Sequence, residues 1–393
     1  MPQNRLRAVF MRGGTSKALV LHRADLPADP ADWAPILLAA MGSPDPNGRQ
    51  LDGMGGGISS LSKVCVIGPP TRADADVDYT FAQIAVGTAQ VDYSANCGNM
   101  SSAIGPFALD EGLVPKPAGD QAVVRIHNTN TNKIIVSRFV VEDGIAAVDG
   151  DLVLDGVAGS GAPIQLDFEN PGGARTGKLL PSGHPSDVLT IDGPDGAPLQ
   201  VSVSMVDAAN PCVFVAASTL GATGIEMPQA LEDNAGLMAM LEQIRRNASV
   251  AMGLAKTLEE AARIAGVPKV AMVARAGPSP TLSGRTLATG EVDILVRMIS
   301  IGQPHKAVPL TGALCLAAAC RVPGSVPSAL LTEAARSGTV RIGHPSGVIL
   351  VAADVETNAD ASVHVRCSTV FRTARRLFQG EVFYRTPKPG LQP

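Results

Sequence analysis

Apolar positions along this chain fall mainly into short alternating runs separated by clusters of Gly, Pro, Asn and Asp, a pattern that predicts many strands and few helices. Residues 6–22 read as a strand, the polar turn Arg12-Gly13-Gly14-Thr15-Ser16-Lys17, and a second strand over 18–21. Further strands are expected at 64–67, 77–86, 90–93, 123–127, 133–139, 164–168 and 188–191. Beyond a Gly/Pro/Asp cluster at 193–198 they resume at 200–206, 212–216, 270–274 and 292–298. Helical spacing appears at 32–41, where Trp33, Ile36, Leu37 and Ala40 share a face and Asp32 is placed to cap. It appears again at 100–111, with Gly112 as C-cap, and at 234–252, 258–265 and 313–320.

The second half echoes the first. Thr311-Gly312 opens an apolar helix that ends at Pro323-Gly324, much as Cys97-Gly98 opens one ending near Gly112. His-Pro-Ser occurs at 184–186 and at 344–346, each time after Gly and before an apolar strand. The run Ala313-Leu314-Cys315-Leu316-Ala317-Ala318-Ala319 is apolar on every side, as a helix surrounded by sheet must be. The expected fold is therefore α+β, with two related units, each a curved sheet wrapped around one central helix. The boundary is expected in the 193–198 cluster, which gives units 1–195 and 196–375.

Composition narrows the function. At 393 residues the chain is too long for one core. Its 45% apolar and 17% charged content excludes a disordered chain, and its 41 Gly and 30 Pro follow no repeat. One Trp, three Tyr, nine Phe and a net charge of −4 argue against nucleic acid as a partner. No apolar stretch is long enough for a membrane span and no secretory signal is evident, so a cytoplasmic protein is expected. The six cysteines (65, 97, 212, 315, 320, 367) form no Cys-x-x-Cys pair and read as free thiols, and the six histidines show no metal-ligand spacing. Small-molecule chemistry is the class left, with no metal or cofactor signature.

Asn96-Cys97-Gly98-Asn99 is the strongest local signal. A cysteine at the first turn of a helix meets the positive end of the macrodipole, which favours thiolate, and the free N–H groups beside it can bind a carboxylate. Cys65, Cys315 and Cys320 read instead as small buried apolar residues. The stretch 52–63 offers the N–H groups of Gly55-Gly56-Gly57 to an anion, and Lys63 is either a cation or base at that anion or a solvated lysine at a strand start. The Arg12 to Ser16 turn is equally an anion nest or a plain hairpin turn. His305-Lys306 and His344-Pro345-Ser346-Gly347 can add positive character near the second helix. Asp25, Asp29, Asp32 and the Asp74-Asp76-Asp78 patch read as solvated loop residues.

Taken in order, Met11-Arg12-Gly13-Gly14-Thr15-Ser16-Lys17, Gly42-Ser43-Pro44-Asp45-Pro46, Asp52-Gly53-Met54-Gly55-Gly56, Ser62-Lys63, Asp76-Val77-Asp78-Tyr79, Asn96-Cys97-Gly98-Asn99 and Gly343-His344-Pro345-Ser346-Gly347 resemble the methylaconitate isomerase family, the PrpF-like proteins. The likeness spans nearly the whole chain. It implies a diaminopimelate epimerase-like fold of two similar domains with the active site in the cleft between them, the first domain completed by a C-terminal strand within 376–393. It implies an isomerase that moves an allylic proton on an unsaturated di- or tricarboxylate without a cofactor. The substrate it points to is 2-methylaconitate; the alternatives are a 4-oxalomesaconate tautomerase and a non-catalytic carboxylate-binding accessory protein. A two-thiol racemase is opposed by Thr311, which stands where a second cysteine would be needed.

The resemblance makes Lys63 and Cys97 the catalytic pair, since a lysine in a water-poor site can take an acidic allylic proton. It places Arg12, Gly14, Thr15, Ser16, Gly55, Gly56, Asn96, Gly98, Asn99, Asn210, Lys306, Thr311, Gly312, His344 and Ser346 around the substrate. A homodimer is a further expectation.

Overall fold

The computed structural model describes residues 3–93, 96–264, 266–300, 302–358 and 363–385. The chain divides into two compact units, Met1–Asp167 with Phe371–Pro393, and Phe168–Val370.

In unit 1 the strands are β1 (Asn4–Gly13), β2 (Ser16–His22), β3 (Lys63–Gly68), β4 (Val77–Ile84), β5 (Val91–Asp92), β6 (Gln121–Asn128) and β7 (Lys133–Glu142). The C-terminal strand Ala374–Tyr384 runs antiparallel to β1, with Asn4 opposite Tyr384. From there the sheet continues through β1 and β2 (antiparallel), β3 (parallel to β2), β4 (antiparallel), β6 (parallel to β4) and β7 (antiparallel). Strand residues alternate between the two faces of a sheet. Leu19, Leu21, Val64, Val66, Ala82 and Ile84 point to one face and meet Trp33, Leu37, Ala40 and Met41 of α1 (Trp33–Met41). The opposite face receives α2 (Gly98–Asp110), whose residues are buried from Gly98 to Leu109 apart from Asn99. A helix so enclosed needs no polar side, and its buried Ser101 and Ser102 turn their hydroxyls back onto the carbonyls of Cys97 and Asn99. α1 is capped a turn earlier than expected. Asp29, not Asp32, accepts the Ala31 N–H at 2.9 Å and opens a 3₁₀ turn at Pro30–Asp32 that feeds the helix.

Unit 2 repeats this plan with β8 (Asp187–Asp192), β9 (Pro198–Ala208), β10 (Asn210–Ala216), β11 (Lys269–Arg275), β12 (Ile294–Ser300), β13 (Gln303–Pro304), β14 (Thr339–His344), β15 (Gly347–Thr357) and β16 (Val363–Arg372), the last running past Val370 into unit 1. From β8 the pairing runs antiparallel, antiparallel, parallel, antiparallel, parallel, antiparallel to β15, the same sequence of directions as in unit 1. α3 (Ala235–Ala251) covers one face through Leu237, Met240, Leu241, Ile244 and Ala248. α4 (Leu310–Arg321) takes the place of α2, with only Thr311 and Arg321 less than fully buried. A shorter helix spans Leu258–Arg263; residue 265, the expected end, lies outside the described residues.

The division between units falls at 167/168 and not at 195/196. Gly193 to Pro198 is the tight turn of the β8–β9 hairpin, closed by hydrogen bonds from Gly193 N–H to the Ala197 carbonyl and from Gly196 N–H to the Gly193 carbonyl. Gly, Pro and Asp mark a turn inside a sheet as readily as a linker. Residues 386–393 lie outside the described residues.

Candidate active site

Val64 and Val66 face α1, so Lys63 and Cys65 face the α2 side of the same strand. Lys63 is the first residue of β3 and only 8% exposed. Its Nζ donates to Gln83 Oε1 at 2.5 Å and lies 5.0 Å from the Phe81 ring centre. The Gln83 amide is fixed with its oxygen toward the lysine because its Nε2 donates to the Ser59 and Ser62 carbonyls. Neither partner of the amine is a carboxylate.

Cys97 is the N-cap of α2, in an extended conformation (φ −104°, ψ 96°), and its thiol makes no capping hydrogen bond. Its carbonyl accepts from the Ser101 N–H and hydroxyl, and the Ser102 hydroxyl donates to the Asn99 carbonyl. Cys65 lies two residues beyond Lys63 on the same face of β3. Burial pushes its thiol far up, the nearby Cys97 adds to this, and a hydrogen bond to Tyr79 and the charge of Lys63 pull back. Buried Tyr79 is likewise pushed up by burial, Cys65 and Cys97. Cys65 is thus a protonated, inert thiol. Cys315 and Cys320 are also buried, the latter pushed by burial to about 12.

The β1–β2 turn lies against the first turn of α2. A side chain at Gly13 would meet the Asn99 carbonyl, and Gly14, at φ +51°, sits against the Asn99 amide and the Arg372 side chain. Asn99 Nδ2 donates to Thr15 Oγ1 at 3.0 Å, while its Oδ1 accepts from Arg372 Nε at 3.1 Å. The turn is less of an anion nest than its sequence suggests. Gly14 N–H donates to the Thr373 carbonyl, and Arg12 Nη1 donates to the Gly14 and Thr373 carbonyls and the Thr373 hydroxyl. The glycine run is similarly engaged, with Gly55 N–H on the Met41 carbonyl and Gly57 N–H on Gln50 Oε1. Ser16 is buried, and Asn96 Oδ1 accepts from Ser101 and Asn128.

Arg372 is the residue that sequence reasoning missed. It is 6% exposed, and its partners are the Asn99 amide oxygen and the Phe371 carbonyl, neither a carboxylate. Burial lowers its pKa to about 10, which leaves it charged at neutral pH. A legible trace existed: Ser368, Val370 and Arg372 alternate as inward positions of one strand, and an arginine does not belong there without a task.

The remaining expected residues belong to unit 2. Thr311 and Gly312 lie within the first turn of α4, whose N-cap is Pro309, so Thr311 is not at the capping position that Cys97 holds in α2. Asn210 Nδ2 donates to the Pro211 carbonyl. His344 is buried, with Nδ1 accepting from Ser346 N–H, and the Ser346 hydroxyl donates to the carbonyl of exposed Lys306. Asp78, expected in solvent, is a buried residue of β4 bonded to Thr71 and to His127 Nδ1 at 2.8 Å; Asp76 pairs with Arg125. Both faces of β4 are covered there, since Val77 and Tyr79 beside it are buried as well. Among the described residues no cluster of three or more His, Cys, Asp and Glu is placed to hold a metal, and no helix is long and apolar enough to cross a membrane. A groove of about 1060 Å³ beside α1 contains neither Lys63, Cys97 nor Arg372.

Comparison with known proteins places this chain among the isomerases. The chain belongs to the PrpF protein family, whose model matches residues 3–385. It is 42% identical over 388 residues to the 3-methylitaconate isomerase of Eubacterium barkeri, covering 98% of this chain and 99% of that one. It is 37% identical over 392 residues to the 2-methyl-aconitate isomerase of Cupriavidus necator, covering 97% and 98%. A solved methylitaconate Δ-isomerase superposes with a TM-score of 0.87 at 42% identity, over 98% of this chain and 96% of that one.

Proposed function

We propose that this isomerase catalyses a proton shift on a methyl-bearing unsaturated di- or tricarboxylate, with no cofactor and with Lys63 as the base. The observation that carries the reading is the state of Lys63: a buried amine held by an amide oxygen, with no carboxylate partner, on the sheet face where α2 begins. An amine so placed removes the acidic proton from the carbon next to the double bond. The electron pair passes through the alkene into the adjacent carboxylate as a dienolate. Return of a proton at the far carbon shifts the double bond; rotation before its return exchanges cis and trans. The N–H groups of the first turn of α2, together with Arg372, hold the carboxylates and the developing negative charge. Cys97, whose thiol is not engaged as a cap, is the partner that hands back the proton.

The acids in the names of the two relatives, 3-methylitaconate and 2-methylaconitate, are the substrates to test first. Incubation of the protein with each, and with 4-oxalomesaconate, followed by ¹H NMR in D₂O, should show isomerisation with deuterium at the migrating or methyl carbon. No conversion of any of the three acids, or a Lys63→Met protein that turns over like wild type, overturns the reading.

A further inference from the structure

The chain between α1 and β3 closes around one buried side chain. Gln50 is 1% exposed, and its backbone is left-handed at φ 54°. The other non-glycine residues of positive φ among the described residues are Asn132, Asp143, Asn170 and Ala209, so Gln50 is the one with a long side chain. Such a conformation costs free energy and persists only where the surroundings enforce it. Here the Asp45 carboxylate does so by accepting the N–H groups of Asn47, Arg49 and Gln50.

So placed, the Gln50 amide is satisfied at both ends. Its Nε2 donates to Ser43 Oγ at 2.7 Å, and its Oε1 accepts the Gly57 N–H at 2.9 Å and the Ser62 hydroxyl. A side chain at Gly55 would occupy the space of that amide, so a glycine there lets the backbone close over it. The run that resembles an anion nest is filled by a neutral amide of the chain itself.

Ser62 joins this amide to the candidate base. It is fully buried and meets Gln50 through its hydroxyl, while its carbonyl accepts the Ile84 N–H and Gln83 Nε2. Gln83 Oε1 in turn accepts from Lys63 Nζ. Gln50 makes none of these hydrogen bonds to Lys63 itself. Two amides therefore hold one serine residue, one at its hydroxyl and one at its carbonyl, and the second amide holds the amine. Apolar filling would serve the loop alone, whereas a buried amide is tolerated only when its hydrogen bonds are made.

We propose that Gln50 is a positioning residue for Lys63, fixing the place of the amine at the start of β3 through Ser62 and the Gln83 amide. The inference rests on Lys63 being the base of the proposed reaction; the chain of hydrogen bonds does not. Removal of a proton from carbon depends steeply on where the base stands, so loss of Gln50 is felt in kcat rather than in KM.

The test compares wild type with Gln50→Ala, Ser62→Ala, Gln83→Leu and the double variant Gln50→Ala with Gln83→Leu, each first checked by thermal melting. Alanine at position 50 keeps a Cβ at the same positive φ, so the amide is removed and the strain is not. The kcat of Gln50→Ala and of Ser62→Ala should fall about 5- to 10-fold with KM changed by less than about twofold, and Gln50→Ala should cost less than about twofold further in the Gln83→Leu protein. The Lys63 Cε signal in ¹³C-lysine-labelled protein, assigned by its absence from Lys63→Met, should shift in the same direction in Gln50→Ala and Gln83→Leu, whether or not an acid is turned over. Losses that multiply in the double variant overturn the inference, as does a Gln50→Ala protein with wild-type kcat and an unshifted Lys63 signal. If Gln50→Ala does not fold, the same readings on Ser62→Ala decide. A shifted Lys63 signal in a protein that turns over no acid leaves the positioning role standing and removes the proposed reaction.

Discussion

Arg372 Nε lies 3.1 Å from Asn99 Oδ1, although 273 positions separate the two residues in the chain. The contact sets the direction of the Asn99 amide, because its other end donates to Thr15. A strand end, a helix start and a hairpin turn are thereby joined through the Asn99 side chain, and the strand end contributes a buried cation whose hydrogen-bond partners include no carboxylate. Holding such a charge out of water costs several kcal/mol in folding.

Arg372→Met should therefore leave the melting temperature unchanged or raise it, while kcat/KM falls about 100-fold through a higher KM. Arg372→Lys keeps the charge but not the planar fork and should recover only part of the loss. Thermal melts beside steady-state kinetics check this. A protein destabilised in proportion to its lost activity would make Arg372 a structural residue.

Lys63→Met should reduce kcat by about 10²–10⁴-fold, the usual contribution of a general base. Gln83→Leu removes the acceptor that holds the amine and should lower kcat by about tenfold with little effect on KM. Equal losses in kcat and KM for the Gln83 variant would mean that the amide serves the substrate rather than the lysine.

Cys97→Ala and Cys97→Ser should both lose kcat more than trans-aconitate affinity, since the N–H groups of the first turn of α2 remain in place. Titration calorimetry beside turnover separates the two effects. Unchanged kcat in both variants would leave the thiol no part in proton transfer.

Gly14→Ala should cost about 1–2 kcal/mol in stability from its positive φ alone, because L residues rarely adopt that conformation. The added methyl also meets the Asn99 amide and the Arg372 chain, so activity should fall further than stability. Denaturant melts and kinetics on the same preparation test both parts.

Asp293 supplies the pH dependence. Burial opposes its charge, yet hydrogen bonds from the Arg341 side chain and N–H and from Thr332 prevail and hold its carboxyl below the ordinary value. A carboxylate depressed in the folded state stabilises it above the unfolded pKa of about 4, and that contribution is lost as pH falls through the lower folded value. Asp293→Asn should accordingly be destabilised at pH 7 by about 1–3 kcal/mol, the cost of weakened hydrogen bonds at a buried acceptor, since its partner Arg341 is half-exposed and can be rehydrated. The gap to wild type should narrow below about pH 4 in urea melts.

What the sequence revealed depended on locality. The strands follow from alternation, the enclosed helix of unit 2 from all-round apolarity and Cys97 from a short motif, each contained within a few residues, whereas Lys63 alone reads equally as a solvated lysine and is singled out only by the family resemblance. The 167/168 boundary escaped because the 193–198 cluster has the composition of a linker and the geometry of a hairpin. The engagement of Arg12, Gly55 and Gly57 escaped because their partners Thr373, Met41 and Gln50 are set by the tertiary fold. Asp78 was misplaced because a row of spaced aspartates looks solvated unless the strand register is known. Arg372 lies far from every motif it serves.

The pairing of Asn4 with Tyr384 also gives the two units different histories on the ribosome. Every residue of unit 2, 168–370, has been synthesised before the last strand of unit 1 exists. Unit 2 can close while translation continues, but β1 waits with one edge unpaired until residues 374–384 emerge. Arg372 emerges just ahead of that strand, so a nascent chain stalled at residue 370 would hold Lys63 and Cys97 and still lack the guanidinium that orients Asn99.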